Sequence, residues 1–218
     1  MIIKRLILGP VATNCYIFLD EDSKEAAVID PSADHESILN LIKENGCKLK
    51  KIFLTHGHYD HIGGLSGLLE AEPEAKVYAH EKSAEVLGEP RVNLSGELGR
   101  KEETFKADIA LKDGDIIPFG KDEFKVIYTP GHTIDGICLV IDGKVFCGDT
   151  IFRFSVGRTD FPTGDMSQEV QSIKTKIMPF DDSVRLYPGH GEPTTVGRAP
   201  RKPILEIGLG AHYVRNYR

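Results

Sequence analysis

A four-layer α/β sandwich is predicted by three features of the chain. Its β-prone runs fall into two sets, one on each side of a charged stretch from Arg91 to Lys112. Each set is accompanied by apolar residues at helical spacing, and several runs end in short turns loaded with histidine or aspartate. Two β-rich halves with helices outside them make four layers, although patterning of this kind supports α/β and α+β alike.

Ile2 to Leu8 is apolar and β-prone, Asn14 to Asp20 is a second strand, and Glu25 to Asp30 a third across the polar turn Glu21–Lys24. Pro31 stops that sheet, and Asp34 or Ser32 is placed to cap a helix with Ile38, Leu41 and Ile42 on its apolar face and Gly46 past its end. Lys50 to Leu54 is a short strand that feeds directly into a histidine cluster. Gly63, Gly64 and Gly67 follow, then a helical stretch through Leu68 and Leu69 that ends before Pro73. Lys76 to Ala79 reads as a strand and His80 to Leu87 as a helix. Arg91 to Lys112 lacks periodicity and reads as a long loop or a short helix bordering a site.

The second set comprises Ile116–Phe119, Phe124–Thr129, Gly136–Ile141 and Lys144–Cys147, the last two joined by the hairpin signal Asp142-Gly143. Val170, Ile173 and Ile177 give Met166–Met178 a helical spacing, and Val184–Tyr187 is the final strand. Residues 1–197 read as one domain and 198–218 as a short basic tail with Arg198, Arg201, Lys202, Arg215 and Arg218 against Glu206.

The 218 residues carry a net charge of -6, a poor match for tracking a phosphate backbone, so nucleic acid is not an expected partner. No apolar run approaches the roughly 20 residues of a membrane span, and the start lacks a signal peptide's order of charge, apolar core and cleavage site. Cys15, Cys47, Cys138 and Cys147 have no CxxC spacing and read as small buried thiols of a cytoplasmic protein. An oligomer is left open.

The chemistry is concentrated in His56-Gly57-His58-Tyr59-Asp60-His61. Imidazole suits zinc and iron, and a carboxylate adds a hard oxygen. A catalytic metal usually takes three protein donors and keeps one position open, so four in one motif point to two metals. Three further strand-to-turn junctions supply His132 after Pro130-Gly131, Asp149 after Gly148, and His190 after Pro188-Gly189. Five histidines and two aspartates suit two ions sharing a carboxylate bridge. A water between them would have its pKa lowered towards roughly 7. His35, His80 and His212 sit among polar residues and read as surface histidines.

The HxHxDH run at His56–His61 and the later GH, GD and GH turns, in this order, resemble the metallo-β-lactamase superfamily over about Ile2 to Thr195. The resemblance implies an αββα sandwich with two metals in a groove at one edge. Carried over by position, it implies His56, His58 and His132 on the first metal, Asp60, His61 and His190 on the second, and Asp149 between them. Two divalent ions are expected, zinc first, with iron or manganese as alternatives. Asp60 would also orient the water or accept its proton.

Within that superfamily, Asn14-Cys15-Tyr16, Asp30-Pro31, Thr55-His56-Gly57-His58, Phe152–Asp160 and Tyr187–Gly191 are similar to the type II glyoxalases, the hydroxyacylglutathione hydrolases. These cleave S-D-lactoylglutathione, which implies a small acyl-thioester substrate attacked by a metal-bridging hydroxide. Their larger members add a C-terminal helical domain that grips glutathione, whereas fewer than thirty residues follow His190 here. Thioester cleavage therefore follows from the resemblance more directly than glutathione as the thiol. Arg158 is a candidate anchor for an anionic substrate, with an ion pair to Asp160 or Asp165 as its other reading. A lactonase, a β-lactamase-like hydrolase and a mononuclear iron persulfide dioxygenase remain as alternatives on the same site.

Overall fold

Strand β2 (Thr13–Leu19) is buried along its whole length, which a strand achieves only when both faces of its sheet are covered. Alternation sorts its side chains: Cys15, Ile17 and Leu19 join one apolar cluster, Tyr16 and Phe18 another. That division sets the architecture of the computed structural model, which describes residues 1–99 and 101–200.

One mixed sheet runs in chain order from β1 (Ile2–Leu8) through β2, β3 (Glu25–Ile29), β4 (Lys48–Phe53) and β5 (Lys76–His80) to β6 (Ile109–Leu111). The other runs from β12 (Thr194–Thr195) through β11 (Arg185–Pro188), β10 (Lys144–Gly148), β9 (Ile137–Ile141) and β8 (Asp122–Tyr128) to β7 (Ile116–Phe119). Between the sheets lies an aromatic core in which Phe18 meets Phe124 and Phe146 edge-on, with centroids 5.0 and 4.9 Å apart. Helices α1 (His35–Glu44) and α3 (Leu65–Ala71) cover the first sheet's outer face through Ile38, Ile42, Leu65 and Leu68. Helix α7 (Met166–Ser172), continued as a π-helical stretch over Ile173–Ile177, covers the second. Three buried clusters between four layers give the αββα sandwich expected of the sequence.

Strands β3 and β4 are parallel, as are β10 and β11. Their carboxyl ends open on one edge of the sandwich, the position at which α/β sheets place ligands. The two sheets are also joined there, by a bridge between Thr13 and His190 and by Asn14 N–H donating to Gly189 O at 2.7 Å.

The structure revises several local expectations. Asp34, not Ser32, caps α1 by accepting from Ser37 N–H. His80 ends strand β5 instead of starting a helix, which is confined to α4 (Ala84–Leu87). It is also buried, stacked flat on Tyr128 with centroids 3.9 Å apart, so the reading of it as a surface histidine is corrected. His35 is half-buried. The charged stretch contains α5 (Pro90–Asn93), α6 (Ser95–Leu98) and the edge strand β6, too short to show a period. Arg201, Lys202, Glu206, His212, Arg215 and Arg218 lie outside the described residues, so the basic tail beyond residue 200 has no structural account. All four cysteines are free. Among the described residues no helix is long and apolar enough to cross a membrane.

Candidate metal centre

All seven side chains singled out as metal donors converge at the open edge. Strand β4 delivers His56 and His58, and the short helix α2 (Tyr59–Ile62) turns Asp60 and His61 back toward them. His132 comes from the β8–β9 connection, Asp149 from the end of β10 and His190 from the end of β11. Donor atoms of His56, His58 and His132 lie within 4.8 Å of one another, as do those of Asp60, His61 and His190. Asp149 stands between the groups: Oδ1 is 3.3 Å from His61 Nε2, and Oδ2 is 3.5 Å from His190 Nε2 and 3.8 Å from His132 Nε2.

Hydrogen bonds fix how each ring is presented. A carboxylate or carbonyl oxygen only accepts, so the imidazole nitrogen facing it must carry the proton. His61 Nδ1–H donates to Asp30 Oδ2 at 2.9 Å, His132 Nδ1–H to Arg158 O at 2.6 Å, and His190 Nδ1–H to Val11 O at 3.2 Å. Thr55 Oγ1 gives its own proton to Asp30 Oδ2 at 2.7 Å and is left to accept from His56 Nδ1–H at 3.2 Å. These four rings therefore turn Nε2, not Nδ1, toward the centre. His58 is reversed: its Nδ1 lies 3.0 Å from His132 Nε2, near the roughly 3.4 Å between two nitrogens on a tetrahedral zinc.

Burial and charge act differently on the two groups. Burial, reinforced by the neighbouring histidines, holds His56 well below the usual imidazole range and brings His58 to about 3. His132 is lowered by burial as well. In the other group burial also disfavours the cation, but nearby carboxylates outweigh it. Asp149, Asp60 and Asp30 raise His61 well above its ordinary value, and Asp149 and Asp60 push His190 up to about 9.

A divalent cation fits this donor set. His56 Nε2, His61 Nε2 and Asp149 Oδ1 are buried with no hydrogen-bond partner in the protein, a costly condition that a cation would relieve. Gly189 is required by the same crowding, since a Cβ there would meet Asp149 Oδ1 and lie 2.6 Å from His61 Cε1.

Arg158, the candidate substrate anchor, lies on the loop after Asp149 rather than among the donors. Its Nε and Nη2 meet Asp160 at 2.6 and 2.7 Å and its guanidinium stacks 4.0 Å over Phe161. Phe161 in turn meets His58 edge-on at 5.6 Å, and Phe152 stands 6.2 Å from His190, so aromatic rings wall the centre on both sides.

The supporting roles of several residues escaped the sequence reading, although Asn14, Tyr16 and Asp30 lie in runs that carry the resemblance to the type II glyoxalases. Asp30 braces His61 and, through Thr55, His56; its signal was an acid ending the apolar run Ala26–Ile29. Asn14 Nδ2 donates to Pro188 O and Gly191 O at 2.9 and 2.8 Å, and Tyr16 Oη to Pro188 O at 2.7 Å, which pins the turn carrying His190. Glu169 is fully buried behind His132, and its signal was a carboxylate four residues before Ile173 on the apolar stripe of α7.

Comparison with known proteins identifies the family of the chain. The family model described as "Metallo-beta-lactamase superfamily" matches residues 8–190. Hydroxyacylglutathione hydrolase GloC of Haemophilus influenzae is 33% identical over 197 residues, covering 88% of this chain and 92% of its own. Among solved structures, BLEG-1 B3 metallo-beta-lactamase superposes with a TM-score of 0.83 at 35% identity, over 90% of this chain and 95% of its own. TTHA1623, solved in a di-iron-bound form, gives 0.77 at 29% identity, over 89% and 95%.

Proposed function

The chain belongs to the metallo-beta-lactamase superfamily, and we propose that it is a metal-dependent hydrolase of small acyl-thioesters, with S-D-lactoylglutathione or a close analogue as substrate. The observation that carries this reading is the pair of donor groups joined by Asp149. In this reading His56, His58 and His132 would hold one divalent cation, Asp60, His61 and His190 would hold a second, and Asp149 would lie within reach of both. Zinc suits the nitrogen-rich set, and the di-iron form of TTHA1623 keeps iron beside it, with manganese third. Cations bound there would supply Lewis acidity and a water acidified towards about pKa 7.

The chain's own groups do the rest. Asp60 Oδ2, 3.1 Å from His190 Nε2 and within reach of Thr13 Oγ1 at 3.5 Å, is held where it can orient a water and take its proton. A thiolate leaves readily, with a parent thiol pKa near 8.5 (approximately), so no strong general acid is needed. Phe152 and Phe161 limit water around the reacting carbonyl. Asp160 occupies two of the Arg158 donors, and the remaining face of this half-exposed guanidinium is proposed to meet a substrate carboxylate. The free thiols suit a reducing compartment, and the cytoplasm is the proposed location.

The likeness to BLEG-1 supports a second reading, a β-lactamase-like or lactonase activity on the same donors. Protein of measured metal content should be assayed on S-D-lactoylglutathione, other acyl-thioesters, a homoserine lactone and a β-lactam. The expected result is two cations per chain and a kcat/KM for a thioester at least about tenfold above the other classes, a margin of about 1.4 kcal/mol. Two cations with no thioester turnover would overturn the substrate class. One iron per chain with oxygen uptake on a persulfide would support the dioxygenase alternative instead.

A further inference from the structure

One face of helix α7 grips the turn that carries His132, residue by residue. Asp165 N–H donates to Gly131 O at 2.7 Å, His132 N–H donates to Glu169 Oε2 at 2.8 Å, and Ser172 Oγ donates to Pro130 O at 2.7 Å. Asp165 is the N-cap of the helix, and positions 169 and 172, spaced by three, lie in one row on it. The contact is close: a Cβ on Gly131 would run into the backbone and Oε2 of Glu169.

Glu169 is the unusual member of this row. It has no exposure, and its Oε1 is buried without a partner. Burial pushes its carboxyl well above the usual range. Ile173 and Ile177 continue the row as core residues, so a leucine at 169 would suit the packing and avoid the cost of an imperfectly satisfied carboxyl. What leucine cannot supply is an acceptor for His132 N–H. The other side of the same residue is fixed by Arg158 O on Nδ1, and a Cβ on Gly157 would lie 3.1 Å from His132 Cβ.

We infer that Glu169 is a positioning residue for the three-histidine group: by fixing the His132 backbone it holds His132 Nε2 beside His58 Nδ1. The inference rests on reading His56, His58 and His132 as ligands of one cation. It is selective, because the turns of Asp60, His61 and His190 are braced by Asp30, Asn14 and Tyr16 instead.

The test compares full-length wild type, Glu169→Gln, Glu169→Leu and Gly131→Ala by elemental analysis and by chelator competition with zinc. Melting of each metal-free protein serves as the folding control. Glu169→Leu is expected to weaken one of two cations roughly 10–100-fold and leave the other unchanged, while Glu169→Gln, which keeps an acceptor, stays within about threefold of wild type. Combined with His190→Ala, which removes a donor from the other group, Glu169→Leu should leave no tightly bound cation. Wild-type affinity for both cations in Glu169→Leu would overturn the inference, as would equal weakening of both. If Glu169→Leu does not fold, Gly131→Ala decides, because it pushes the same turn off the helix with Glu169 intact; unchanged binding there overturns the inference. A wild type holding fewer than two cations would instead overturn the reading of the site, and the inference with it.

Discussion

The two donor groups sit a few ångströms apart yet are built on opposite principles. His56, His58 and His132 are nearly inaccessible, at 3%, 2% and 6% exposure, and burial drives their protons off. Asp60 and His190 are more open, at 15% and 27% of the side chain, and the carboxylates around His61 and His190 draw protons in. Burial alone would lower every histidine here. The carboxylates reverse the sign for two of them. The first group thus offers neutral lone pairs in advance, whereas a cation entering the second must displace protons. Graded chelation is therefore expected to empty the second group before the first, leaving about one cation per chain at an intermediate stage. Simultaneous loss of both would break the comparison.

The largest effects should come from the donors themselves. His58→Ala and Asp60→Ala are each expected to lower kcat about 1,000-fold or more, equivalent to roughly 4 kcal/mol of barrier, with far-ultraviolet circular dichroism unchanged. Should metal-depleted His58→Ala still turn over a thioester, the cation would be unnecessary. Next comes Asp30→Asn. Asp30 touches both groups, through His61 directly and through Thr55 to His56, so both affinities should fall, by about 10–100-fold as measured by chelator competition. An effect limited to one group would show that only one of those two braces matters. Smaller still is Tyr16→Phe, which removes one of two donors to Pro188 O and should cost about 1 kcal/mol in urea unfolding, with weaker binding only in the His190 group.

A separate effect, on stability rather than on activity or binding, is a pH dependence. Asp135 is buried and its carboxyl is pushed up to about 7 from an ordinary 3.8, chiefly by burial. The folded chain then keeps a proton that the unfolded chain has released. Its stability is full at low pH and declines as pH rises from about 4 to about 7. Asp135→Asn cannot ionise, so urea midpoints of metal-free protein should fall less between pH 5 and 8 than in wild type. Parallel pH profiles would contradict the raised carboxyl.

The donors were legible because each breaks a local pattern. His56–His61 follows an apolar strand directly, and His132, Asp149 and His190 each follow a glycine at a strand end. The braces were not legible, because their meaning depends on partners far along the chain. Asp30 acts on His61, Asn14 on Pro188, and Glu169 on His132, pairings that no periodicity announces. The four layers followed from two sets of strands with helices. Strand β6 did not, since three residues with Ile109 and Ala110 exposed carry no readable alternation. His80 was misread because its sequence neighbours Glu81 and Lys82 are polar, while the strand turns its ring onto Tyr128. For Arg158 both readings had been open, and the loop pairs it with Asp160.

The bridge from Thr13 to His190 joins the second strand made on the ribosome to one of the last. Among the described residues every donor set except the three-histidine one needs residues 149 or 190, so a nascent chain exposes the HxHxDH run long before the complete cradle exists. Capture of the proposed pair of ions would consequently be a late step of maturation, after nearly all of the described fold has been synthesised, and the long-range closure it depends on favours slow assembly.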